Sequence, residues 1–339
     1  MAGAALTILG FLLVPILIRR IGNYATTLWF ILLQIILFYG LLASSSPIAI
    51  TAFFVLQTAV IALIGLNLDI FLEVYTDASN VGSVRGLYTA TMNASWVIAP
   101  LIGSMLINGT NNYHNTYVAG LAMLIPLFYL VYRNFPRFKD PNYTHLSPWQ
   151  LAKHIARNKN WDKLFAVNLI LQTFYAWMVV YVPIYLNKTV GFGWDDIGII
   201  LVIMLLPFPI IQYPLGRLAD RKYGEKKMMI AGFLLMGVAT MMLALIHSDN
   251  IVIWSLGLLT TRIGAAAAEI MIETYFFKTV SARDTAALGV FRITRPLSYF
   301  TGPAIGIIGL LFVSQSYMFI VVGAICLLAL IPISTIRDK

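Results

Sequence analysis

The chain of 339 residues contains one cysteine, Cys326, so no disulfide closes within it and no cysteine cluster holds a metal. Its four histidines, His114, His145, His154 and His247, sit in or beside predicted loops without metal-ligand spacing. No nucleophile stands with a base, and no glycine-rich phosphate loop occurs, so an enzyme is not expected and neither is a cofactor. Charge is scarce as well: 11% of residues are charged, against about a quarter in soluble domains. Acids are the rarer sign, with 14 Asp and Glu against 23 Lys and Arg.

What fills the chain instead is apolar. Hydrophobic residues make up 60%, and the mean hydropathy is +0.83. A helix needs roughly 20 mainly apolar residues to cross the hydrocarbon core. Eleven such runs can be read, over about 2–18, 25–43, 48–71, 87–107, 117–132, 164–185, 194–213, 229–246, 251–276, 288–312 and 317–335. The fold class expected is an all-α membrane protein.

A net charge of +9 would suggest a nucleic-acid partner in a soluble protein. Here its distribution gives another meaning. Of the 23 cations, 19 lie in the odd-numbered connections and the C-terminal tail; the even connections hold Lys188 alone. By the positive-inside rule the odd loops and the C-terminus are cytoplasmic. Arg262, Arg292 and Arg295 are inside predicted helices. The partners expected are the lipid bilayer and a small-molecule substrate, not nucleic acid. Residues 1–18 carry no charge and run into Arg19-Arg20, so they read as a true helix rather than a signal peptide.

The densest charge is Pro214–Lys227, PLGRLADRKYGEKK, between two apolar runs. Two further stretches repeat. Gly86 to Gly103 maps onto Gly289 to Gly306 at an offset of 203, with glycine, threonine, serine, proline and isoleucine positions shared. The helix before it carries acids four apart in both copies, Asp69 and Glu73 against Glu269 and Glu273, at an offset of 200. Duplicated helical units mark many transporter folds.

Gly216, Arg217, Leu218, Ala219, Asp220, Arg221 and Gly224 resemble the G-x-L-a-D-r-x-G-r-k loop of the major facilitator superfamily, with one extra residue, Tyr223, before the second glycine. Arg19 to Asn23 is similar to the first copy of that loop. Aligning Gly22 with Gly224 puts Ile18 on Asp220, so this copy lacks the acid. The resemblance covers essentially the whole chain and implies a major-facilitator-type helical bundle. It also implies that the family's first helix is missing here, with five helices in 1–133, a cytoplasmic linker over 134–161 and six helices in 162–339. Within the linker, Ser147-Pro148-Trp149-Gln150 predicts the start of a short amphipathic helix.

Ionisable groups inside a membrane default to function. Matched depth along neighbouring helices pairs Glu269 with Arg295 and Glu273 with Arg292, while Arg262, near mid-membrane, is expected to meet the missing helix, a water-filled cavity or an anionic group on the substrate. The resemblance implies a gate and charge network of Gly216, Arg217, Asp220, Arg221, Asp69, Glu73, Arg85, Glu269, Glu273, Arg292 and Arg295. It places Asp220 against the N-terminus of the helix starting near Gly86. It also implies a cavity lined by Gln57, Gln172, Tyr175, Trp177 and Arg262, with Asn93 and Trp96 beside it. Pro100 and Gly103 resemble the glycine-proline motif of drug/proton antiporters, with Ala99 and Ser104 where that motif has glycine. The expected function is a monomeric secondary active transporter of the inner cell membrane. Proton-coupled efflux of an amphiphilic compound is one reading. Uptake of a small polar metabolite is another, and a non-transporting receptor or assembly protein on the same scaffold a third.

Overall fold

The computed structural model describes residues 2–107, 114–144 and 160–336. No strand occurs among them. Helices α1 (Ala2–Ile21), α2 (Asn23–Ala43), α3 (Pro47–Tyr75), α4 (Val81–Ile107) and α5 (His114–Asn134) are followed by α6 (Trp161–Tyr185). Then come α7 (Trp194–Leu205) and α8 (Pro207–Leu218), one span broken where Pro207 has no N–H to give. The chain continues through α9 (Glu225–Met242), α10 (Ile251–Thr279) and α11 (Thr285–Leu310), and closes with the short pair α12 (Met318–Leu328) and α13 (Leu330–Ser334). The helix predicted from Ser147 falls outside the described residues.

Counting each broken span once, these are eleven helices among the described residues, and eight spans are long and apolar enough to cross a membrane. Large apolar side chains such as Leu13, Ile36, Ile61, Met123 and Ile253 are exposed. In water such surfaces would aggregate; facing lipid they cost nothing.

The duplication is visible in the backbone. Gly22 and Gly224 have nearly the same conformation, φ 83° and ψ 160° against φ 71° and ψ 160°, and each immediately precedes a helix, α2 or α9. That region is essentially reserved for glycine. The extra Tyr223 sits in a π-helical turn, Ala219–Tyr223, whose wider turn takes up one more residue without displacing the glycine. Helices α3 and α11's predecessor, α10, are both 29 residues long and end 204 positions apart. Their ends therefore set Asp69 against Glu273, one turn from the register read on the acids alone.

The contacts divide the chain into two units. One comprises Met1–Tyr75, Ala99–Lys153 and Val280–Leu297; the other comprises Thr76–Ile98, His154–Thr279 and Ser298–Lys339. Each unit thus takes a segment from the opposite half of the sequence. In the first, α2 packs on α3 and α5 around Ile31, Leu37, Val60, Ile64 and Val131. In the second, α9 and α10 approach closely: a Cβ on Gly264 would lie 2.5 Å from the Met236 nitrogen, and one on Gly232 would lie 2.8 Å from the Ala268 nitrogen. The small run Gly264–Ala268 is what permits that approach.

Candidate functional site: a charged helix crossing in each unit

In the second unit the start of α4 crosses α8 at glycines that let the two backbones meet. A Cβ on Gly82 would meet the Gly216 carbonyl oxygen at 2.5 Å, and one on Gly86 would meet the Gln212 carbonyl oxygen at 2.8 Å. This intimacy brings the Asp220 carboxylate onto the first turn of α4. Its Oδ1 accepts the Gly82 N–H at 3.1 Å and its Oδ2 the Ser83 N–H at 2.8 Å. A carboxylate there satisfies two orphan donors and faces the positive end of the helix dipole. Lys278, at the end of α10, bridges Asp220 at 2.9 Å and Glu225 at 2.5 Å, the latter in the first turn of α9. Three helix ends and one loop are thereby tied by one ammonium. Arg85, 1% exposed, lays its guanidinium over the Phe277 ring at 3.1 Å. Arg217 and Arg221 point to solvent.

The first unit contains the counterpart, where α11 crosses α1. A Cβ on Gly289 would stand 2.7 Å from the Phe11 carbonyl oxygen, as Gly86 does over Gln212. The charge here is different. Arg292 forks onto Asp69, with Nε to Oδ2 at 2.7 Å and Nη2 to Oδ1 at 3.0 Å. Asp69 is 1% exposed. Depth matching compared neighbouring helices of one half, so it did not name Asp69 of α3 as a partner of Arg292. Glu273 is buried, Glu73 half-buried and Arg295 exposed.

Deeper in the second unit a polar chain runs across three helices. Asn93 of α4 donates to Gln212 of α8 at 2.9 Å, and Gln212 donates to Glu269 of α10 at 2.6 Å. Two turns further along the same face of α10 lies Arg262, 2% exposed. Phe174 and Tyr175 of α6 cover its guanidinium, with centroids at 5.2 and 5.5 Å. The Tyr175 hydroxyl is anchored on the Ala265 carbonyl at 3.3 Å. The Nε of Arg262 has no hydrogen-bond partner among the described residues.

The other candidate cavity residues are dispersed. Gln57 accepts from Gln34 at 3.0 Å in the first unit. Gln172 reaches back to Asn168 at 3.5 Å along α6. Trp177 is 2% exposed and stacks on Tyr181 and against Phe319 of α12, so it belongs to that packed aromatic block. Trp96 is exposed.

Gln212 and Lys278 were missed by sequence reasoning. A lone amide in the apolar run 194–213 was the available signal for Gln212; Lys278 looked like an ordinary loop cation. No group of metal-binding residues occurs among the described residues.

Comparison with known proteins gives one family and one fold. Residues 1–196 and 164–338 each match the Major Facilitator Superfamily. No curated protein matches the chain. Among solved structures, the human organic anion transporter MFSD10 is similar at 15% identity and TM-score 0.81, over 98% of this chain and 82% of that one. The fucose:proton symporter of E. coli is similar at 14% and 0.78, over 100% and 90%. A bacterial homologue of the iron transporter ferroportin, in an outward-facing state, is similar at 14% and 0.76, over 98% and 88%.

Proposed function

The chain belongs to the major facilitator superfamily, and from that premise we propose that it is a secondary active transporter working by alternating access, exporting a small amphiphilic solute against protons. The observation that carries the reading is the pair of helix crossings at the basic-loop end. Residues 76–98 pack with 154–279, and 280–297 pack with 1–75. Ends built this way hold one side shut and have to separate for that side to open. The positive-inside bias supports a cytoplasmic position for that side.

Arg262 is the proposed contact for an anionic group on the solute. A buried guanidinium lying against the adjacent rings of Phe174 and Tyr175 suits an aromatic or amphiphilic acid, whose carboxylate takes an N–H edge of Arg262. One of the structurally similar proteins is an organic anion transporter, and Arg262 is the reason to propose that class here. Glu269, held by Gln212, is the proposed proton-binding carboxylate.

The test is flux in proteoliposomes under an imposed pH gradient, comparing aromatic carboxylates with their neutral amides. Saturable, gradient-dependent exchange of the carboxylates that disappears in Arg262→Met supports the reading. Flux of the amides alone overturns the anion assignment. Carboxylate uptake together with protons reverses the direction, and no saturable flux of any compound overturns the transporter reading itself.

A further inference from the structure

The two copies of the charged loop are built unequally, and the inequality is repaired from elsewhere in the chain. In the second copy, Asp220 supplies the carboxylate that ties α4 to its neighbours. In the first copy, Ile18 stands at the matching position and is fully buried, and the first turn of α2 contains no acid. Gly22, in the same conformation as Gly224, provides no side-chain cap.

A carboxylate for this end comes from the linker, and it caps α2, whereas Asp220 caps α4 across the crossing. Asp140 Oδ1 accepts the Asn23 N–H at 2.7 Å, at the start of α2, and the Tyr143 hydroxyl donates to the same oxygen. Burial, and then the Asp140 carboxylate, push the Tyr143 phenol up, so it remains a donor. One residue on, Thr144 is bonded to the turn before α11. Its N–H donates to the Arg283 carbonyl at 2.9 Å, and its hydroxyl donates to Asp284 Oδ1 at 2.8 Å. Asp284 is where α11 begins, since its carbonyl accepts the N–H groups of Ala287 and Leu288. Both anchor points lie in the first unit, yet they come from opposite halves of the sequence.

Four residue steps of extended chain span at most about 14 Å. As long as both ends stay bonded, the starts of α2 and α11 cannot separate further than that reach allows. Asp140 and Thr144 are themselves exposed, so their bonds exchange readily with water. That suits a catch that opens better than a permanent brace.

We infer that residues 140–144 form a latch that replaces the acid absent from the first loop, holding α2 and the α11 turn together while this end is closed and releasing one of them when it opens. The inference rests on the alternating-access reading, and Asp140 and Thr144 are positioning residues in it.

The experiment uses the full chain in nanodiscs with Cys326→Ala and a single reporter cysteine. Leu288→Cys reports on α11, Ala90→Cys on α4 and Phe233→Cys on the interior of α9, all buried. Asp140→Ala is expected to speed maleimide labelling at Leu288→Cys about three- to tenfold, the loss of one helix cap. Labelling at Phe233→Cys should not change, and Asp140→Glu should restore protection. Thr144→Val should act in the same direction without lowering the melting temperature. Equal acceleration at Phe233→Cys, or none at Leu288→Cys while Asp220→Ala accelerates Ala90→Cys, overturns the latch and leaves the transporter reading standing. If neither acid changes its own reporter, the gate reading fails with it.

Discussion

Asp69 and Arg292, 223 positions apart, form a two-pronged ion pair in which the acid is almost fully buried and the arginine side chain is 26% exposed. The pair is therefore asymmetric. Arg292→Met leaves the 1% exposed carboxylate without its guanidinium and should cost about 3–5 kcal/mol. Asp69→Asn leaves an arginine that can reach water and should cost only about 1–2 kcal/mol. Thermal unfolding of both single changes and the double in detergent checks this. Simple additivity would mean that the two side chains do not act on each other.

Lys278 stands between two carboxylates, Asp220 and Glu225, that are 5% and 8% exposed. Removing the cation takes the ammonium from both acids and leaves Asp220 only its two N–H donors, so Lys278→Met is expected to be the most damaging single change in that cluster. Glu225→Gln leaves Lys278 its bond to Asp220 and should cost about 1 kcal/mol. Unfolding temperatures in the reverse order would show that the ammonium is not what joins these helix ends.

Gly82 and Gly216 touch through their backbones, whereas Gly224 has open space where a Cβ would go but a positive φ of 71°. Alanine should harm both kinds of site for different reasons. Gly216→Ala forces α4 and α8 apart and should raise maleimide reactivity at Ala90→Cys. Gly224→Ala should cost about 1–3 kcal/mol of backbone strain with that reactivity unchanged. Equal effects on reactivity would contradict the close crossing.

Arg262 is buried against two rings, with no hydrogen bond to its Nε among the described residues. A buried cation without an ion-pair partner among the described residues carries an uncompensated desolvation cost that an apolar chain of similar length does not. Arg262→Met should therefore hold or raise the melting temperature while carboxylate exchange is lost. A fall of several degrees with exchange intact would make Arg262 a packing residue.

Much of this protein could be read along the chain. The eleven apolar runs correspond to eleven helices among the described residues, counting each broken span once, because each must satisfy its own backbone in lipid, a constraint local to the run. The loop at Gly216–Gly224 and its partner at Gly22 were legible for a similar reason: the φ that glycine alone tolerates comfortably is fixed by a few adjacent residues.

Which charges meet was decided only by tertiary structure. Depth along a helix is a one-dimensional measure, and it chose partners for Arg292 and Arg295 from the nearest helix in sequence. Arg292 forks onto Asp69, a partner that depth did not name, because the start of α11 packs with the first half of the chain. Gln212, Lys278, Asp140 and Thr144 were invisible for the same reason, since nothing in their local sequence sets them apart until a partner more than 50 residues away arrives. Apolar periodicity fixes that a helix spans the membrane; which of its faces meets which neighbour follows from glycine-to-backbone crossings and from the high cost of leaving a buried charge alone.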